Sequence, residues 1–197
     1  MRPRRPLRIL FVASTLGAGG AEMMLLRLLT RLPADEFMPL VMVLTGPSDL
    51  DDQVAALGVE VVHLHLTRRR LPRPSGAAAL IDAASRFRPD LIQGWMYHGN
   101  LAATLAWGFC PGRPPLVWNI RQALPYLGQE PGLSRMVIKA GAVLSRFPAA
   151  VINNSTRSRQ DHHRVGYRPR RDVILPNGFD LDRFRPDPAA RRDVRTE

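Results

Sequence analysis

The chain has 197 residues, 45% of them hydrophobic, with a formal net charge of +11 and a single cysteine. That size carries one well-buried domain, or one domain with a linker, and a lone Cys110 excludes an intrachain disulfide and fits a reducing compartment. No apolar run approaches the roughly 18–20 residues that span a bilayer. Arginine supplies nearly all the positive charge, Lys139 being the only lysine, and it clusters at Arg2-Pro3-Arg4-Arg5, Arg68-Arg69-Arg70 with Arg73, Arg168–Arg171 and the tail. Such clusters favour polyanions such as nucleic acid, lipid headgroups or sugar phosphates, and solvated loops are the plainer account of them.

Residues 1–6 read as a basic arm. The short apolar run after it enters a glycine loop, so it reads as a buried first strand rather than a signal sequence. Apolar runs then recur at Arg8–Ala13, Leu40–Leu44, Val59–Leu64, Leu91–Trp95, Leu116–Ile120, Ala150–Ile152 and Val173–Leu175. Most lack strict alternation, as expected of strands covered on both faces. Helix-length stretches separate them: Ala21–Leu32 with Met24, Leu25, Leu28, Leu29 and Leu32 on one stripe, then Gly76–Phe87 and Asn100–Phe109. The alternation predicts an α/β fold, a doubly wound, mostly parallel, Rossmann-like sheet of about seven strands. The proline-rich breaks at Leu71–Pro74 and Pro111–Pro115 read as connecting loops.

Ligands of such sheets bind at the carboxyl ends of the strands, so residues just past each run are the candidates. After the first run, Gly17, Gly19 and Gly20 permit close backbone approach and φ > 0, and a helix starting near Ala21 aims free N–H groups at the same spot. The spacing is not a dinucleotide fingerprint, because Glu22 stands where its third glycine would be. No Lys-Ser/Thr follows for a Walker loop. After the fourth run, His98 and Asn100 are expected at the crevice at the start of the next helix, with Trp95 and Tyr97 beside them to stack on sugar rings. His63 and His65 are weaker candidates at a strand end. Arg121 after the fifth run suits a phosphate or carboxylate. After the sixth, Asn153 and Asn154 are polar in an apolar sheet, and Ser155 or Thr156 is an N-cap candidate. Asn177-Gly178 is a tight-turn signal after the last run, followed by Phe184 and Pro186.

The set "GGAE" after the first run, "W-x-x-H-x-N" after the fourth, "NS" after the sixth, Gly166-Tyr167 and "V-I-L-P-N-G-F-D-x-x-x-F-x-P" at the end resembles the family-4 glycosyltransferases, from about Leu7 to Pro186. The resemblance implies one half of a GT-B fold, two Rossmann-like domains facing across a cleft. Residues 7–176 would be the N-terminal, acceptor-side domain, and 177–197 the hinge and start of a C-terminal donor domain. It implies a retaining glycosyltransferase that moves a sugar from a nucleotide-sugar donor to a glycan, lipid-linked or small-molecule acceptor, without a metal or other cofactor. Gly19, Gly20 and Glu22 would form the acceptor or donor-phosphate loop. Trp95, Tyr97, His98, Asn100, Arg121 and Asn154 would line the acceptor cleft, His98 as the catalytic candidate, and Asn177, Gly178 and Asp180 would shape the hinge.

The family's E-x₇-E glutamate pair and donor-phosphate cations belong to the second domain and are not found in these residues. The 197 residues alone are therefore expected to be inactive, since transition-state stabilisation needs both walls of the cleft. Where some members carry a histidine after the fifth strand, Asn119-Ile120-Arg121 stands here. The D-x-D patterns Asp49-Leu50-Asp51 and Asp180-Leu181-Asp182 lack supporting ligands and are assigned no metal. In Leu133–Phe147, a stripe of Leu133, Met136, Val137, Ala140, Leu144 and Phe147 lies largely opposite Arg135, Lys139 and Arg146. Packing on the sheet is the plainer use of that stripe, and contact with an anionic membrane the other. The expected location is the cytoplasm or the inner face of its membrane. Two rivals stay open: half of a GT-B nucleotide-sugar epimerase, and a non-catalytic basic α/β module binding nucleic acid. The latter lacks an aromatic–basic RNA motif, zinc spacing or a recognition helix, so no nucleic-acid partner is expected.

Overall fold

The computed structural model describes residues 5–66, 74–182 and 186. Seven strands form one sheet: Leu7–Ala13 (β1), Phe37–Val43 (β2), Glu60–His63 (β3), Leu91–Trp95 (β4), Leu116–Ile120 (β5), Ala150–Asn153 (β6) and Asp172–Ile174 (β7). Their order is β3-β2-β1-β4-β5-β6-β7, and each neighbouring pair is parallel. The chain winds outward from β1 to β3, then returns to place β4 against the other side of β1. The boundary between β1 and β4 is thus the switch point, where a crevice opens above the carboxyl ends of the strands.

The helices are Gly20–Leu29 (α1), Asp51–Ala55 (α2), Pro74–Phe87 (α3), Met96–Phe109 (α4), Gly132–Leu144 (α5) and Thr156–Val165 (α6). Because strand side chains alternate, β1 feeds two cores. Leu10 and Val12 pack with Leu80 of α3, Ala103 of α4 and Ile138 of α5; Ile9, Phe11 and Ala13 pack with Leu25 and Leu29 of α1 and Val54 of α2. This double coverage is why the strands read as unbroken apolar runs. The five-residue α2 has too few positions to show a period in the sequence. Of the features singled out above, Arg2 with Arg4, Arg68–Arg70 with Arg73, the break at Leu71–Pro74 up to Arg73, Phe184 and the tail arginines fall outside the described residues.

The Gly166-Tyr167 motif has a structural explanation. Gly166 closes α6 in the left-handed region at φ 110°, with its N–H and that of Tyr167 donating to His163 and His162 carbonyls. Tyr167 is buried beneath α5 and meets the edge of the Trp118 ring. A β-carbon at Gly141 would overlap its hydroxyl. Gly141 therefore decides how α5 sits. The helix buries Ile138 and Gly141, and the predicted core stripe is mostly turned outward, with Met136 66% and Phe147 44% exposed.

Candidate functional site

The register sets Ala13, Trp95 and Asn119 side by side across β1, β4 and β5, so the loops that follow share one rim of the sheet. On that rim Gly19 and Gly20 are exposed, Gly19 as the N-cap of α1. The sequence allowed a left-handed backbone here, but Gly19 is extended at φ −83°, ψ 159°. The loop lies close to Glu22: a β-carbon at Gly19 would meet the end of the Glu22 side chain, which can swing aside. Glu22 thus sits against the loop.

A network not anticipated from the sequence holds this loop from below. Ala18 N–H donates to Asp49 Oδ2 at 2.9 Å and Leu16 N–H to Ser48 Oγ at 3.1 Å. Ser48 N–H donates in turn to Asp51 Oδ2, and Asp51 Oδ1 meets His63 Nε2 at 2.6 Å. The Asp49-Leu50-Asp51 letters therefore mark loop scaffolding. The sequence signal was Ser-Asp-Leu-Asp in the loop between a strand and the next helix, a pattern suited to backbone capping.

At the switch point β4 passes into α4 without a loop. Met96 takes the left-handed conformation at φ 62°, and its sulfur accepts from Arg121 N–H at 3.2 Å. The sharp turn starts the helix four residues earlier than predicted and changes the surroundings of three candidates. Trp95 is 1% exposed and donates through Nε1 to Ala21 O at 2.9 Å, tying α1 to β4. Asn100 is buried, accepting from Asn119 N–H and donating to Asn119 O. Tyr97 is buried against α6, its hydroxyl 2.8 Å from His162 Nε2 and 3.3 Å from Gln122 Nε2. These three brace the rim from inside and do not line it, because the immediate helix start turns them into the cores. His98, in the first turn of α4, is half-buried and stays at the rim.

Arg121 also has a different setting. Its Nη1 donates to Leu175 O at 3.1 Å and Asn177 Oδ1 at 2.9 Å, while the guanidinium lies 5.5 Å from the Trp95 ring centroid. It grips the segment that leaves β7 instead of standing open beside the cleft. Burial pulls its pKa down from the ordinary arginine value. Farther along that segment, Arg27 Nη1 of α1 donates to Gly178 O at 3.0 Å and the guanidinium covers Phe179. The segment therefore runs from β7 back across the rim to α1. Asn177-Gly178 forms no tight turn; the turn falls at Leu181-Asp182, where Asp182 N–H donates to Asp180 Oδ1. Two cations draw the chain straight over the positions where the sequence suggested reversal. Asn154 is half-buried at the end of β6, its N–H bonded to Ile120 O, and among the described residues its Oδ1 and Arg121 Nε are buried without partners. Helices α1, α4 and α6 all begin on this rim, so their positive ends and Arg121 make it favourable to phosphate or sugar hydroxyls.

The brace under Tyr97 predicts a pH response. His162 Nδ1 lies 2.7 Å from Ser158 O and donates to it, which leaves Nε2 to accept from the Tyr97 hydroxyl. Burial lowers the His162 pKa below its ordinary 6.5, against the Ser158 carbonyl and Asp161, which raise it. The unfolded chain thus takes up a proton that the folded one refuses, so stability is full above about pH 6.5 and falls as pH drops below it. Urea midpoints of the parent chain should decline between about pH 6.5 and 5, and His162→Gln should flatten that decline.

A family model for Glycosyltransferase Family 4 matches residues 18–183. Among solved structures, the chain is similar to Anabaena Alr3699/HepE, a complex with UDP and glucose, at TM-score 0.71 and 20% identity, over 96% of this chain and 50% of that one. It is similar to sucrose-phosphate synthase from Thermosynechococcus elongatus at TM-score 0.67 and 17% identity, over 96% and 52%. A putative UDP-N-acetylglucosamine 2-epimerase from Listeria monocytogenes aligns at TM-score 0.55 and 13% identity, over 89% and 46%. No curated protein sequence matches the chain. The chain spans about half the length of these structures, and at such identities the likeness concerns the fold. With the family model spanning residues 18–183 and the Rossmann-like sheet of GT-B enzymes beneath it, the chain belongs to Glycosyltransferase Family 4.

Proposed function

We propose that residues 7–176 form the acceptor-side domain of a retaining, metal-independent glycosyltransferase, and that the segment from Asn177 onward is the hinge into a donor-binding domain. The observation that carries this reading is the convergence of Gly19, Gly20, His98 and the Arg121-held crossing segment on one rim, at the switch point of the sheet. The donor is a nucleotide sugar held mainly by the second domain, and the acceptor is a glycan, a lipid-linked sugar or a small hydroxyl compound. In this reading His98 hydrogen-bonds a sugar hydroxyl as the bond to the leaving diphosphate breaks. The exposed glycine loop and the amino end of α1 meet the acceptor or the donor phosphates.

The test uses a chain that continues through a second domain. It is supplied with UDP-, GDP- or ADP-sugars and candidate acceptors, and the anomeric configuration of the product is read by NMR. Transfer with retention supports the proposal; inversion overturns it. An epimerase would interconvert the nucleotide sugar with no acceptor present, a reading kept open by the epimerase fold. His98→Ala is expected to lower kcat/KM on the order of tenfold, the loss of one neutral hydrogen bond. Undiminished turnover would remove His98 from the site.

A further inference from the structure

We propose that the outer face of α5 is a docking surface for an anionic lipid bilayer, a property independent of the sugar chemistry above. Leu133, Met136, Ala140 and Val143, with Phe147 just past the helix, are spaced by three and four residues and so share one stripe. All five are exposed, Met136 and Val143 at 66% and 61%. Arg135, Lys139 and Arg146, also exposed, form a second row alongside. No acidic residue occurs between Glu130 and Asp161, so the row's field is not cancelled within its own helix.

Two shallow depressions lie along this face. One is lined by Leu127, Arg135, Met136 and Lys139, the other by Ala142, Val143, Arg146 and Arg168. Each sets two cations beside an apolar wall, the pairing that a lipid presents as phosphate above acyl chain. A nucleic-acid backbone would use the cations and leave Met136, Val143 and Phe147 in water. A bilayer surface uses both rows at once: side chains enter the acyl boundary while the guanidinium and ammonium groups stay at headgroup level.

The test is co-sedimentation of the 197-residue chain with phosphatidylcholine vesicles, with or without phosphatidylglycerol. Binding is expected only to the anionic vesicles, weakening as salt rises from about 0.05 to 0.3 M. Met136→Ser with Val143→Ser keeps every charge and should weaken binding at least about fivefold by removing inserted apolar area. Arg135→Gln, Lys139→Gln and Arg146→Gln together should weaken it as much, whereas the same loss at Arg31, Arg86 and Arg171 should change it less than about twofold. All these side chains are exposed, and an unchanged thermal midpoint verifies the fold. Equal loss with the control set would mean diffuse attraction and overturn the proposal, as would full binding by the serine pair. Self-association that the serine pair abolishes, without vesicle binding, would make the face a contact between copies and overturn it too.

Discussion

Gly99→Ala is expected to destabilise the domain by about 3 kcal/mol, the upper end of the overpacking range. In a domain of this size that lowers the thermal midpoint by roughly 6–12 °C. The reason lies at the switch point. A β-carbon at Gly99 would overlap the carbonyl oxygen of Val12, which is backbone of the central strand and has no rotamer to change. Gly94, one strand across, is under the same constraint: its added carbon would stand 2.6 Å from the Cα of Asn100. Gly108 supplies the control on the same helix. Open space surrounds it, so Gly108→Ala should stabilise by about 0.5–1 kcal/mol through helix propensity. Equal effects at the two positions would show that α4 is not seated on β1 as described.

Arg121→Ala should free the crossing segment while leaving the sheet intact. Two hydrogen bonds from a charged donor are lost, to Leu175 O and Asn177 Oδ1, together with the face of Trp95. Bonds of that kind contribute about 1.5–3 kcal/mol each, and solvent partly replaces them here, so a net loss of about 2–3 kcal/mol is expected. Amide exchange in residues 177–180 should then quicken by roughly 30- to 150-fold, and that of β1 and β4 hardly at all. Arg121→Lys should restore only part of the protection, since an ammonium lacks the planar guanidinium that lies beside the Trp95 ring. In a chain carrying a second domain, kcat and KM should shift together, the mark of a hinge group. A change in KM alone would return Arg121 to the acceptor wall.

The strands were legible because both sheet faces are covered, so Leu40–Leu44 or Leu116–Ile120 could hardly be anything else in a chain that alternates so regularly. The rim was legible for the same reason: once the strands are parallel, residues after each run must meet at one edge. Side-chain direction was not. Tyr97 looked like a cleft aromatic because its partner, His162, lies 65 positions away. Trp95 and Asn100 were misjudged because Met96 bends the chain into α4 at once, and nothing in the letters Trp-Met-Tyr-His announces a positive φ. Asn177-Gly178 follows its local turn preference only until Arg121 and Arg27 supply stronger attachments. The orientation of α5 depended on Gly141, whose role appears only when Tyr167 arrives beneath it.

Arg27 lies near one end of α1, and the exposed Gly19-Gly20 pair caps the other. A single ten-residue rod therefore touches the rim loop with its head and the departing chain with its tail. The chain leaving β7 is thereby attached, at Gly178 and Phe179, to the same helix whose amino end carries the exposed glycines. Occupancy at the rim and the path taken by the chain after β7 thus share one mechanical element.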